Sequence, residues 1–323
     1  MSTGGLIATV LICSNIVSLL VLAAAYLLAK RLDAFKVFKY ASIAEALILA
    51  IVVVFSYTAL LSLVLGINVV VLISTLSFII LQYTIYPKFI LKGLKLEPVN
   101  LDEKVLSSVK STQVCLTDLS TLNAFSLDNH FSKIIVLDRK FREILTEEEF
   151  KAVVLHELFH LKSYDMAYLM SLTLTPLIIF STGIYLLVKG YSFLRARRLI
   201  EKAGGFPLVI FLTALGILLL ALMLPVYLSL FSFMRIRDHV ADLYSVKVSK
   251  GSSIRESLDK AGHFSDAVSF AKSPFIVLRS IIFFSPPVFM NRKIFDRIVE
   301  FLMGSTLFVN LRKNVVKRTL SRE

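Results

Sequence analysis

The stretch Leu145 to Asp165, LTEEEFKAVVLHELFHLKSYD, decides how the chain folds, because it joins a polar region to a long apolar block. Thr146, with Glu149 three residues later, forms a capping box, which marks the amino terminus of a helix. Apolar residues then recur at helical spacing. The stretch therefore predicts a helix that begins after Thr146 and carries the chain into the apolar block at 166–188.

Uncharged apolar blocks of membrane-spanning length lie on both sides of this helix. A hydrocarbon core of about 30 Å needs about 20 helical residues, and 56% of the 323 residues are hydrophobic, with a mean hydropathy of +0.77. The blocks lie at about 6–29, at two positions within 45–88 separated by Gly66-Ile67-Asn68, at 166–188 and at 206–234. We therefore predict a membrane α-helical bundle of about five transmembrane helices, with Pro225 as a kink in the fifth.

These blocks divide the chain into four regions. Residues 1–92 form an N-terminal membrane region of three spans, whose first block is too long for a signal peptide and is predicted to remain as an anchor. Residues 93–165 form a soluble insert, 166–234 a transmembrane hairpin, and 235–323 a carboxyl-terminal region that completes the site. In the insert, Gln113–Leu116 and Ile134–Leu137 predict strands, so we expect a small α+β domain.

Basic residues cluster beside the predicted spans. The positive-inside rule places the connection with Lys30 and Arg31, and the segment from Lys88 to Lys95, on the cytoplasmic side. The basic loop 189–205 breaks the rule. It is an interfacial helix or an extension of the fourth span, or else the fourth and fifth spans do not both cross the membrane fully. Membrane lipid, rather than nucleic acid, accounts for the net charge of +13. We predict a multi-pass protein of the cell membrane with a cytoplasmic catalytic domain.

The helix carries His156-Glu157-Leu158-Phe159-His160, an H-E-x-x-H motif. Histidines four residues apart share a helix face, so two imidazoles can bind one zinc ion at about 2.0 to 2.1 Å. Glu157 beside the open position could take a proton from water and pass it to the leaving amine. A chance coincidence on an amphipathic helix is the less favoured alternative. The motif predicts a zinc metallopeptidase.

A catalytic zinc needs a third protein ligand, and the segment after the fifth block offers candidates. Asp238, His239 and Asp242 lie where the hairpin at 166–234 returns the chain to the side of the helix. The alternative is that these residues form a solvated helix face.

With these motifs the chain resembles the M48 family of membrane metalloproteases, the group that includes HtpX and the CAAX-processing protease. The family's third ligand is a glutamate in an E-x-x-A-D stretch, where this chain has Asp238-His239-Val240-Ala241-Asp242. The resemblance implies Asp238 as the third zinc ligand, with His239 as a substitute, and Asp242 as a carboxylate that orients a ligand.

Two further segments resemble the family. Asn123-Ala124-Phe125 is similar to its N-A-F stretch beside an edge strand, which implies substrate binding by strand addition; an ordinary turn is the alternative. Near the carboxyl end, Ser285-Pro286-Pro287 resembles S-x-H-P with proline in place of histidine. Arg292 would then face the reacting carbonyl oxygen, with Arg297 as its rival and lipid or solvent contact as the alternative.

The resemblance implies an integral membrane zinc endopeptidase acting on polypeptide substrates, which would be membrane or misfolded proteins. A catalytically impaired zinc-binding homologue, serving as a membrane scaffold or receptor, is the alternative, although retention of Glu157 argues against it. A transporter would need ionisable residues within the spans. Glu45, the acidic residue near a span, is expected at an edge.

Overall fold

The computed structural model describes residues 3–65, 69–99, 112–118, 123–128, 133–195, 206–251, 253–264 and 306–321. Within these residues, the helices α1 to α9 run Thr3–Leu28, Ala34–Leu65, Val69–Lys92, Arg139–Ile144, Glu147–Lys162, Asp165–Arg195, Phe206–Ser249, Ser253–Phe264 and Thr306–Leu320. The strands β1 to β4 run Glu97–Pro98, Thr112–Thr117, Ala124–Asp128 and Lys133–Asp138. The predicted strands at 113–116 and 134–137 are therefore confirmed. The predicted turn at 66–68 lies outside the described residues.

In the part of the chain that the structure describes, three segments are long and apolar enough to cross a membrane: Thr9–Leu28, Ala34–Thr58 and Pro207–Ser249. The second begins earlier than expected, so Glu45 lies within it and is fully buried, and its predicted place at a span edge is wrong. One buried carboxylate changes the mean hydropathy of such a segment little, and that of Ala34–Thr58 is still 2.1. The number of five spans stays a prediction.

Helix α5, which carries the H-E-x-x-H motif, begins as predicted but ends earlier than expected. Its capping box is present: Thr146 Oγ1 accepts from Glu149 N, and Glu149 Oε2 accepts from Thr146 N. The helix does not continue into the apolar block. It ends at Lys162, and Tyr164 follows with a left-handed φ of 56°. A separate helix, α6, then begins at Asp165 and extends the apolar block as far as Arg195.

The chain divides into two compact units, of which the first contains residues 1–18, 47–82 and 171–230. In this unit, α6 and α7 approach closely at two glycines. A Cβ atom at Gly216 would lie 2.9 Å from the carbonyl oxygen of Gly183 and 3.0 Å from Cγ of Leu187. Small residues of this kind let the backbones of membrane helices pack against each other. Helix α7 is continuous through Pro225.

The second unit contains residues 19–46, 83–170 and 231–323, and it includes the sheet. The strand order is β1-β2-β4-β3, with β2 and β4 parallel and the outer pairs antiparallel. Among the described residues, strand β3 thus lies at one edge of the sheet, and it contains Ala124 and Phe125. This unit therefore combines a small mixed sheet with α-helices.

Two apolar clusters in the second unit hold α5 in place. The first joins α5 to the sheet, α8 and α9, through buried residues that include Ile135, Leu158, Leu258 and Val316. The second includes Phe159 of α5, Phe38 of α2 and Val240 of α7. Helix α5 is therefore packed on both sides, and the residues of its motif are buried.

Candidate metal centre

Helix α5 brings the two motif histidines together, as their four-residue spacing predicted. The Nε2 atoms of His156 and His160 lie 3.2 Å apart, and both side chains are buried. Two nitrogens bound to one tetrahedral zinc at about 2.0 to 2.1 Å would be separated by about 3.3 Å. The imidazole pair therefore fits a zinc ion.

Each histidine turns its other ring nitrogen toward a buried carboxylate. His156 Nδ1 lies 2.9 Å from Asp242 Oδ1, and His160 Nδ1 lies 3.0 Å from Asp165 Oδ2. A carboxylate that accepts from Nδ1–H fixes the ring orientation and leaves the Nε2 lone pair for a metal. Asp165, to which the sequence analysis gave no role in the site, thus contacts His160 as Asp242 contacts His156.

Asp238 on α7 completes a group of three candidate ligands. Its Oδ1 atom lies 3.7 Å from His160 Nε2, and the candidate ligand atoms of Asp238, His156 and His160 all lie within 4.8 Å of one another. Two imidazoles and one carboxylate, with a position left for water, are a donor set that suits catalytic zinc. The residues present therefore fit the metal that the motif predicted.

His239, the predicted substitute for Asp238, is engaged elsewhere. Its Nε2 atom lies 2.6 Å from the hydroxyl oxygen of Tyr26, and its ring stacks on Phe38 with centroids 4.7 Å apart. Consecutive residues of a helix point in different directions. Asp238 therefore faces His160, whereas His239 faces Tyr26 and Phe38. The geometry favours Asp238 as the third ligand.

Burial sets the ionisation of the motif residues. It lowers the pKa of His156 to about 3, so this imidazole is neutral, as a metal ligand must be. Burial disfavours the charged form of His160 as well, but the hydrogen bond and the charge of Asp165 outweigh it and raise the pKa of His160.

Glu157 lies between the two histidines in sequence and is buried. Burial raises its pKa to about 7, against the opposing effects of His160 and Ser126. Its Oε2 atom has no hydrogen-bond partner among the described residues. A carboxylate with a pKa near neutral can both accept and release a proton, which a general base and acid requires.

Sequence reasoning missed two buried arginines. Arg312 on α9 donates from Nε and Nη2 to the two oxygens of Asp242, each at 2.6 Å, and its Nη1 lies 3.7 Å from Asp238 Oδ2. Arg237 donates from Nε to Asp165 Oδ2 at 2.7 Å. A signal existed for Arg312, because it lies one turn before Val316 on a face with apolar residues, and a charge on such a face indicates a buried ion pair.

The remaining predicted site residues lie at the start of strand β3 or outside the described residues. Asn123 Oδ1 accepts from Ala124 N at 3.1 Å, and the Asn123 carbonyl accepts from Asp138 N at 2.8 Å. The side chains of Asn123, Ala124 and Phe125 are buried, which leaves substrate contact to their main chain. The segment Ser285-Pro286-Pro287, Arg292 and Arg297 lie outside the described residues.

A family profile and similar curated proteins indicate the same protein family. Residues 101–292, more than half of the chain, match the sequence profile of Peptidase family M48. The chain is 29% identical over 139 residues to the "Protease HtpX homolog" of Archaeoglobus fulgidus, covering 43% of this chain and 38% of the relative. It is 28% identical over 202 residues to the "Protease HtpX homolog 1" of Sulfurisphaera tokodaii, covering 61% and 62%.

A third relative is the "Protease HtpX homolog 1" of Sulfolobus acidocaldarius, with 28% identity over 165 residues and half of each chain covered. The chain thus spans from 38% to 62% of the length of these three curated relatives. No solved structure matches the chain.

Proposed function

This chain belongs to peptidase family M48, and on that premise we propose that it is an integral membrane zinc endopeptidase. Its ligands are His156, His160 and Asp238. The observation that carries the proposal is the meeting of these three side chains within 4.8 Å, next to the buried Glu157. A structural zinc site has four protein ligands and no need of a general base, whereas this group offers three ligands and a carboxylate.

The chemistry follows from the residues of the chain. A bound zinc ion would supply a Lewis acid that polarises the scissile carbonyl and makes water more acidic. Glu157 accepts the proton of that water on its carboxylate and gives it to the leaving amine. Without a bound metal, burial raises the pKa of Glu157 to about 7, and this burial favours its uptake of a proton.

Two carboxylates and two arginines hold the histidines in position. Asp242 and Asp165 orient the rings of His156 and His160, and Arg312 and Arg237 pair with these carboxylates. Arg312 is a positioning residue, because it contacts Asp242 and not a reacting atom. We also propose that Arg292 faces the carbonyl oxygen of the scissile peptide bond. The family resemblance is the support for this role.

Substrates are membrane or misfolded polypeptides. The edge strand β3 could add a substrate segment through main-chain hydrogen bonds, with Asn123 supporting the start of the strand. In this proposal about five spans cross the membrane, residues 1–92 and 166–234 contain them, and the regions 93–165 and 235–323 form a catalytic domain on the cytoplasmic side. Neither nucleic acid nor a further macromolecule is needed.

The test compares the wild-type chain with Glu157→Gln in detergent micelles or proteoliposomes. Zinc content is measured by elemental mass spectrometry. Proteolytic activity is measured as the cleavage of an unfolded polypeptide such as casein. We expect both proteins to hold one zinc ion per chain and only the wild type to cleave. The substitution keeps the size of Glu157 and removes its proton-accepting charge, so the two proteins differ in chemistry and not in fold.

Two results would contradict the proposal in different ways. Zinc bound by both proteins without Glu157-dependent cleavage would favour the alternative, a zinc-binding membrane scaffold or receptor. Zinc bound by neither protein would remove the metal centre itself. His156→Asn serves as the control for specific binding, because loss of one imidazole should release the metal.

A further inference from the structure

A second pocket lies in the same unit as the metal centre, between the carboxyl end of α1, the start of α2 and the terminal helix α9. Its volume is about 310 Å³, near the lower limit of about 300 Å³ for small-molecule sites. No residue of the metal centre lines it. The pocket is therefore distinct from the metal centre.

The lining combines cationic and apolar groups. Lys30 and Arg318 are the charged residues among those that line the pocket, both are exposed, and none of the described lining residues is acidic. Asn314 and Thr319 add side chains that can donate hydrogen bonds. Two cations with neutral donors beside them are a surface that suits a phosphate group.

The rest of the wall is mainly apolar, because Ala29, Ala34, Leu311 and Val315 line it together with Tyr26. Such a surface accepts the hydrocarbon part of a ligand. A ligand that matches both parts of the wall carries a phosphate at one end and an apolar portion at the other. Inorganic phosphate would match only the polar part.

The location points to the membrane surface. Lys30 follows the candidate span Thr9–Leu28 by two residues, and Ala34 is the first residue of the next candidate span. Anionic headgroups of the bilayer attract basic residues at this depth. We propose that this pocket binds the headgroup end of an anionic phospholipid, with its phosphate between Lys30 and Arg318 and the first methylene groups of its acyl chains against the apolar wall.

The experiment uses the full chain, purified and delipidated in detergent, and native mass spectrometry with added phosphatidylglycerol or phosphatidylcholine. We expect one phosphatidylglycerol molecule per chain to remain bound under conditions that remove phosphatidylcholine. The double variant Lys30→Gln, Arg318→Gln should weaken phosphatidylglycerol binding about tenfold or more. Each basic residue near an anionic membrane surface strengthens binding several-fold, and the variant removes two of them.

A matched control removes the same charge from the same two parts of the chain. Lys36→Gln with Lys317→Gln neutralises two exposed lysines on α2 and α9 that do not line the pocket. We expect this pair to bind phosphatidylglycerol as the wild type does. An equal loss in both double variants would show that the binding is a general charge effect and would overturn the proposal.

Two further measurements test whether the lipid occupies this pocket and whether a soluble phosphate ester can replace it. Ala29→Leu keeps both charges and narrows the pocket, so it should also weaken the binding of phosphatidylglycerol; unchanged binding would overturn the proposal even if the double variant does not fold. Glycerol phosphate at millimolar concentration should not displace the lipid. Displacement would assign the pocket to a soluble phosphate ester and overturn the lipid assignment.

Discussion

Arg312 Nε and Nη2 donate hydrogen bonds to both carboxylate oxygens of Asp242, each at 2.6 Å, and each side chain is 1% exposed. The same Asp242 carboxylate lies 2.9 Å from His156 Nδ1. A bidentate pair of this kind fixes the plane of the carboxylate as well as its position. The terminal helix α9 thus controls the orientation of an imidazole on α5.

The pair predicts a loss of metal affinity on substitution of Arg312. Arg312→Lys keeps the positive charge but cannot hold both oxygens of Asp242. Residues that orient metal ligands typically contribute about 10- to 100-fold to metal affinity, so we expect a loss in that range. The measurement is zinc competition with a fluorescent chelator. Lys313→Gln, which removes a cation from a more exposed pair with Asp259, is the control and should leave zinc affinity unchanged.

Arg312→Met should do more damage, because it leaves Asp242 as an unpaired buried charge. Breaking a buried ion pair from one side costs about 3 to 5 kcal/mol. We expect a lower thermal unfolding temperature for this variant and a near-normal one for Arg312→Lys. Equal zinc affinity in Arg312→Lys and the wild type would contradict the positioning role.

The third ligand can be identified by a pair of neighbouring substitutions. Asp238→Asn removes the carboxylate charge from the centre and should weaken zinc binding by more than the roughly 100-fold loss that an outer residue can cause. His239→Asn should change zinc affinity little, because the His239 ring contacts Tyr26 and Phe38. Zinc titration of both variants by calorimetry decides between them. The opposite ranking would assign the ligand to His239.

The stability of α5 should depend on pH through Glu149. Its Oε2 accepts from Thr146 N and from Lys260 Nζ, each at 2.6 Å. Burial alone would raise the pKa of Glu149, but these bonds outweigh it and lower the pKa below its ordinary 4.5. The ionised form therefore stabilises the fold at neutral pH, and this contribution is lost as the pH falls below 4.5.

Thermal unfolding of the wild type and Glu149→Gln, both with chelator present, measures this contribution. We expect the wild type to unfold at the higher temperature at pH 7, and the difference to shrink as the pH falls below about 4.5. Glu147→Gln is the control, since exposed ion pairs such as that of Glu147 with Arg142 contribute little. A difference that does not vary with pH would exclude this role of the carboxylate.

Close packing of α6 against α7 predicts a cost for any side chain at Gly216. Its added Cβ would lie 2.9 Å from the backbone oxygen of Gly183, which cannot move aside as a side chain can. Gly216→Ala should destabilise the chain by about 1 to 3 kcal/mol, as overpacking does. Gly251→Ala, whose Cβ would meet its nearest contact at 3.6 Å, should unfold like the wild type. Equal stability of the two variants in detergent would disprove the close approach.

Local patterns predicted much of the structure, because their causes lie within a few residues. The capping box at Thr146 and the histidine spacing in α5 depend on the helix itself, and the strand β4 depends on its own apolar run. The break after Lys162 was missed, although the polar run Lys162-Ser163-Tyr164-Asp165 interrupts the apolar pattern there. Strand β1 has only two residues and exists through its pairing with β2.

Tertiary contacts explain the rest of what sequence reasoning missed. Arg312 and Asp242 are 70 residues apart, and no local rule pairs them. The search for an arginine near the carboxyl end pointed to Arg292 because of the family spacing, and it did not consider Arg312. The nearness of Asp238 to the histidines was expected from the return of the chain after the fifth apolar block.

The residues of the metal centre emerge from the ribosome in a fixed order. His156 comes first, Asp238 and Asp242 follow, and Arg312 comes last. Until α9 has been made, the carboxylate of Asp242 lacks its cation and His156 lacks a fixed orientation. A nascent molecule with the proposed activity would therefore hold zinc weakly while its membrane helices are being inserted, and it would reach its full metal affinity only after its own synthesis had passed α9.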